Sequence, residues 1–112
     1  MVETGQGEIV ILTTIADPEH AEAFARELVE RKLAACVSCL PGAVSFYHWE
    51  GAGITRDVEQ VLVIKTDRRR LADIEQFFDA EHPYELPELL VFEVAALAAR
   101  YREWMMREMF GT

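Results

Sequence analysis

Apolar residues recur along this chain with two periods, and the alternation between them lays out the elements. Glu8-Ile9-Val10-Ile11-Leu12-Thr13-Thr14-Ile15 is a β-branched run that predicts a first strand covered on both faces. Ala21, Phe24, Ala25, Leu28, Val29 and Leu33 then follow at intervals of three and four, the stripe of an amphipathic helix. Asp17-Pro18-Glu19 starts that helix. Asp17 caps it, Pro18 fills a position that needs no amide hydrogen, and Glu19 meets the positive end of the dipole. From Ala35 to Trp49 the spacing is extended, and Pro41-Gly42 predicts a bend or bulge near a sheet edge. Beyond it Val44, Phe46 and His48 share one face, and Ser45, Tyr47 and Trp49 the other. A glycine-bearing loop, Glu50 to Thr55, turns the chain back into a strand from Arg56 to Thr66. On that strand Glu59, Val61, Val63 and Lys65 share a face.

Thr66-Asp67 predicts a second helix start, with Leu71, Ile74, Phe77 and Phe78 on its apolar side. Arg68-Arg69-Arg70 in its first turn reads as solvated surface. Pro83 and Pro87 stiffen the connection to a fourth strand, Leu89 to Val94. Ala95 to Phe110 reads as a last helix whose stripe of Leu97, Tyr101, Trp104, Met105 and Met109 is packing. The fold class is therefore α+β: a ferredoxin-like βαββαβ sandwich with a long hairpin between its second and third strands and a C-terminal helix. Residues 1–7 are expected to be a flexible N-terminus, and 8–112 a single domain. Two helices cover one sheet face. The other face, with aromatics on the hairpin, needs a partner, which points to a homo-oligomer.

Composition narrows the function classes. A chain of 112 residues suits one domain. Its net charge of −9 repels phosphate backbones and argues against nucleic acid. No apolar run reaches the length of a membrane span, and the acidic start lacks signal-peptide features, so the expected compartment is cytoplasmic. Cys36 and Cys39 lie three apart on a strand, facing opposite sides, which disfavours a shared metal or a disulfide. There is no phosphate-binding glycine loop and no serine nucleophile elbow. His20, His48 and His82 are scattered. No catalytic residues are assigned, and the chain is not read as an enzyme. The stretch richest in chemistry is His82-Pro83-Tyr84-Glu85-Leu86-Pro87-Glu88. There His82, flanked by Glu81 and Glu85, is the best locus for a divalent metal ion, since imidazole with carboxylates suits several such ions.

Four segments resemble the CutA family of divalent-cation-tolerance proteins: Leu33-Ala34-Ala35-Cys36-Val37, the run from Leu40 to Gly51, Lys65-Thr66, and the His82 to Glu88 stretch. Tyr101 and Trp104 match the family's terminal pattern. The resemblance implies a tight homotrimer, similar in architecture to the PII signalling proteins, with tolerance to Cu2+ and other divalent cations as its role. No organic cofactor is expected. Copper contacts in a bacterial relative involve a cysteine where this chain has Thr13, and adjacent histidines where it has Glu81-His82. Only His82 carries over, leaving a harder, less selective donor set. Two readings stay open. One is weak binding of divalent ions at His82, Glu81 and Glu85. The other is a signalling or scaffold trimer whose inter-subunit cleft, lined by Trp49, Glu59, Lys65, Tyr84 and Glu88, takes a small molecule or a protein partner.

Overall fold

In a computed structural model that describes residues 1–111, the chain runs β1 (Val2–Thr4), β2 (Glu8–Ile15), α1 (Pro18–Glu30), β3 (Cys36–His48), β4 (Ile54–Asp67), α2 (Leu71–Glu81), β5 (Leu90–Glu93), β6 (Ala96–Ala98) and α3 (Ala99–Phe110). The main sheet has the order β3-β4-β2-β5, and every neighbouring pair is antiparallel. With α1 and α2 on one face this is the ferredoxin-like sandwich, built from β2, α1, β3, β4, α2 and β5.

Strand alternation puts Ile9, Ile11 and Ile15 of β2 and Leu62 and Ile64 of β4 on the helix side, all fully buried or nearly so. They meet Phe24 and Leu28 of α1 and Ile74, Phe77 and Phe78 of α2. The Phe24 ring lies 4.8 Å from that of Phe77 and 5.2 Å from that of Phe78. Each such side chain contributes about 1.5–3 kcal/mol by leaving water. The predicted cap of α1 is in place, with the Asp17 carboxylate accepting the His20 N–H at 3.0 Å.

The predicted irregularity in the long hairpin is a bulge. The register passes from Leu40↔Val61 to Ala43↔Glu59, so one extra residue sits on β3, and Gly42 takes a left-handed φ of 78°. The extra residue resets the side-chain phase. Ser45 pairs with Asp57 and Tyr47 with Thr55, on the sheet face away from the helices.

The structure differs from the sequence reading at both chain ends. Val2–Thr4, expected to be part of a flexible tail, form β1 and pair antiparallel with Ala96–Ala98. Those three residues are β6 rather than the start of the last helix, which begins at Ala99. Arg102 fastens the pairing. Its Nε donates to Glu8 at 3.1 Å, one Nη to Glu3 at 2.6 Å and the other to the Thr4 carbonyl. These contacts span most of the chain, and no local period announces them. The arginine run is also not simply solvated. Arg69 donates to the Asp67 carboxylate at 3.0 Å and stacks 3.9 Å above the Phe110 ring, while Arg70 donates to the Met109 carbonyl at 2.9 Å. The run holds α3 against the body of the domain.

Candidate functional site

The proline-stiffened connection between α2 and β5 has two sides. One is closed around His82. Its ring is packed against Phe24 and Phe78, each with centroids 5.4 Å away. Its Nδ1 accepts the Tyr84 backbone N–H at 3.1 Å, so the ring proton belongs on Nε2, which donates to the Thr13 hydroxyl at 3.0 Å. Burial pushes the His82 pKa down to about 4. The imidazole is neutral at pH 7, with neither nitrogen left to accept a metal.

Glu81 and Glu85 do not join it. Glu81, the last residue of α2, is exposed, and its carbonyl meets the His20 ring at 3.3 Å. Glu85 is exposed on the opposite side of the connection, in the lining of a different cavity. Among the described residues no three His, Cys, Asp or Glu side chains converge as metal ligands. The three-residue metal locus expected from the sequence is therefore not assembled within one chain. Proximity in sequence brought its members together; the helix end and the two prolines send their side chains apart.

The other side is open. A cavity of about 690 Å³ lies between this connection and the sheet face that the helices leave bare. Its carboxylates are Asp57, Glu59, Glu85 and Glu88, and its aromatic walls include Tyr47, Trp49 and Tyr84. Among the described residues no lysine, arginine or histidine lines it. Asp57 and Glu59 stand two residues apart on β4 and so share a face. Each is oriented by a phenol. Tyr84 donates to Glu59 Oε2 at 2.7 Å, and Tyr47 donates to Asp57 Oδ2. Burial and the bond to Glu59 hold the Tyr84 hydroxyl well above the usual phenol range, so it remains a donor. The bond to Asp57 likewise raises that of Tyr47. Burial and the charge of Glu59 push the Glu88 carboxyl up. Glu59 is 7% exposed, and among the described residues only its Oε2 is hydrogen-bonded.

Of the residues assigned to an inter-subunit cleft from the sequence, Trp49, Glu59, Tyr84 and Glu88 line this cavity within one chain and Lys65 does not. Lys65 lies farther along β4, opposite Cys36, and its Nζ donates to Ser38 Oγ at 3.0 Å with Cys36 Sγ 3.6 Å away. Cys39 faces the other way, against the core. Asp57, Tyr47 and Glu85 also line the cavity and were not named from the sequence. The signal for the first two was the bulge at Pro41-Gly42, which sets the phase of the hairpin.

The match to known proteins covers this whole arrangement. Residues 9–108 match the family model described as CutA1 divalent ion tolerance protein. The chain belongs to the CutA family. The Divalent-cation tolerance protein CutA of Thermus thermophilus is 36% identical over 88% of this chain and 94% of its own length. Protein CutA, chloroplastic, of Arabidopsis thaliana is 35% identical over 87% of this chain, and the match spans only 53% of that longer protein. The structure of CutA from Synechococcus elongatus superimposes with a TM-score of 0.93 at 35% identity, covering 97% of this chain and 96% of the other. Among the described residues no helix of this CutA-family chain is long and apolar enough to cross a membrane.

Proposed function

We propose that this CutA-family chain acts in divalent-cation tolerance as a cytoplasmic homotrimer, in a binding rather than a catalytic role. On this reading it meets Cu2+ and other divalent ions weakly, through the carboxylates of the open cleft. The observation that carries it is the lining itself: four carboxylates, no cationic side chain among the described residues, and an imidazole next door that is already bonded at both nitrogens. Oxygen donors without a thiolate or a free imidazole give little selectivity among divalent ions. The metal role expected of His82 passes to Glu85 with Glu88, Asp57 and Glu59.

Exposed apolar side chains support the assembly. Leu40, Val44, Phe46, Ile54 and Val58 stand out along the hairpin, and Leu90 and Phe92 on β5. Contiguous exposed apolar side chains of this kind mark interaction surfaces. Calorimetric titration of Cu2+ and Zn2+ tests the metal reading. Glu85→Gln with Glu88→Gln is expected to weaken both isotherms, and His82→Ala to leave the binding of folded protein unchanged. Loss of binding in His82→Ala alone would return the site to the imidazole. Sedimentation at micromolar concentration is expected to give three chains per particle, and a monomer would defeat the assembly.

A further inference from the structure

Within one chain the two ends of β4 are electrically unbalanced in opposite senses. Glu59 is more than nine-tenths buried, one of its oxygens accepts from Tyr84, and no cationic side chain among the described residues pairs with it. At the far end of the strand Lys65 is half-buried, yet its Nζ meets only the neutral Ser38 hydroxyl and, at 3.6 Å, the Cys36 sulfur. Among the described residues no carboxylate forms an ion pair with it. Six residues of extended strand, about 20 Å, keep the two charges apart in one chain.

Both residues belong to the sheet face that the helices leave bare, since they alternate with Leu62 and Ile64, which pack into the core. Of the four strands in the main sheet only β4 carries lysine or arginine, and Arg56 alternates to the other face. Lys65 is thus the one cation that the described strand residues place on this face. Between the two charges the face is apolar. Val61 has Leu40 beside it, and Val63 stands in a row with Leu12 and Leu90. Leu40 and Leu90 are about half exposed in the single chain. A neighbouring copy that covers this band buries Glu59 and Lys65 with it, and a buried ion left unpaired is strongly destabilising. In a closed ring of three the contact is head to tail, so one part of the face meets a different part of the next copy.

We propose that a second copy of this chain completes the cleft: Lys65 of the partner subunit enters it and donates to the second oxygen of Glu59. In the homotrimer proposed above, on which this pairing rests, the contact occurs three times around the ring. Tyr84 and Lys65 of the partner subunit then satisfy both oxygens of Glu59, while Asp57, Glu85 and Glu88 remain for divalent ions. The pair also selects the way in which copies meet, because a contact in any other register leaves both charges buried without a counter-ion.

Sedimentation of the wild-type chain decides the assembly separately, and a monomer there would remove the trimer and this pairing together. On the trimer, carbodiimide coupling joins an ammonium to a carboxylate in direct contact, with no spacer. Lys32 and Lys65 are the only lysines in the sequence, and Lys32 is engaged at the Glu108 carbonyl. Mass spectrometry of the coupled two-chain band is expected to find Lys65 joined to Glu59, a link that the strand forbids within one chain. Lys65 joined instead to a carboxylate outside the cleft would overturn the pairing. Subunit exchange between tagged and untagged trimers gives a second readout. Glu59→Gln and Lys65→Met are each expected to speed exchange about thirtyfold or more, because each leaves the other charge buried alone. The double variant, with no lone charge to bury, is expected to exchange more slowly than either single one. Sites about 20 Å apart that do not meet would act independently, and their effects would multiply. Multiplied effects in variants of a trimeric wild type would overturn the pairing and leave the assembly standing.

Discussion

Two polar sites lie back to back across the Pro83–Pro87 connection, and they are built on opposite principles. At His82 both ring nitrogens are bonded within the chain, to Thr13 and to the Tyr84 backbone, and two phenylalanine rings pack against the imidazole. At Asp57 and Glu59 one oxygen of each carboxylate is held by a phenol, while the groups still face an open cavity. Tyr84 belongs to both: its backbone closes the first site and its hydroxyl orients the second. A satisfied polar group rigidifies the structure, whereas a partly satisfied one in a cavity is available to a ligand. The residue that looks most like a ligand by type is thus the structural one.

Substitutions sort the two sites by what they disturb. His82→Ala is expected to have the largest effect on stability, about 2–4 kcal/mol, because it opens a cavity against Phe24 and Phe78 and strands the Thr13 hydroxyl. Chemical denaturation would measure it, and a loss below about 0.5 kcal/mol would mean the imidazole is not structural. Thr13→Val removes only the acceptor for Nε2–H and is expected to cost about 1–3 kcal/mol in the same assay. Tyr84→Phe keeps the ring and the backbone bond to His82 but frees Glu59, for an expected loss of about 1 kcal/mol. Its main effect should fall on ligand binding at the cleft. Glu27→Gln, at an exposed ion pair with Arg31, should change stability by less than about 0.5 kcal/mol.

Acid separates the sites by a different route. The unfolded chain takes up a proton at His82 near the ordinary pKa of 6.5, and the folded chain only at about 4. The unfolded state therefore binds more protons between those values, and stability falls as pH is lowered from 6.5 toward 4. Well above 6.5 the imidazole is neutral in both states and contributes no slope. His82→Gln, which can accept from Tyr84 N–H or donate to Thr13, should flatten that part of the stability profile followed by thermal melts. An unchanged profile would show that the imidazole charges freely in the folded protein.

Much of the fold was legible because its signals are local. The β-branched run at Glu8–Ile15, the Asp17-Pro18 start and the helical stripes each report elements that the chain makes with near neighbours. The bulge at Gly42 was legible too, since proline and glycine mark it. Its consequence was not drawn from the sequence: one inserted residue decides that Ser45 and Tyr47 share a face with Asp57 and Glu59. The β1–β6 pair was missed because it joins residues at the two ends of the chain, and Val2-Glu3-Thr4 carries no pattern of its own.

By itself, then, the sequence determined the order of the sandwich elements and the family, and singled out the stretch from His82 to Glu88 as the richest in polar chemistry, since periodicity and motif are properties of neighbouring residues. Tertiary structure decided which groups of that stretch are free. His82 is used up by Thr13, which lies 69 positions away, and Glu59 is drawn to Tyr84 across 25. Whether a titratable side chain is available to a ligand depends on the partners that packing brings to it, and those partners come from distant strands.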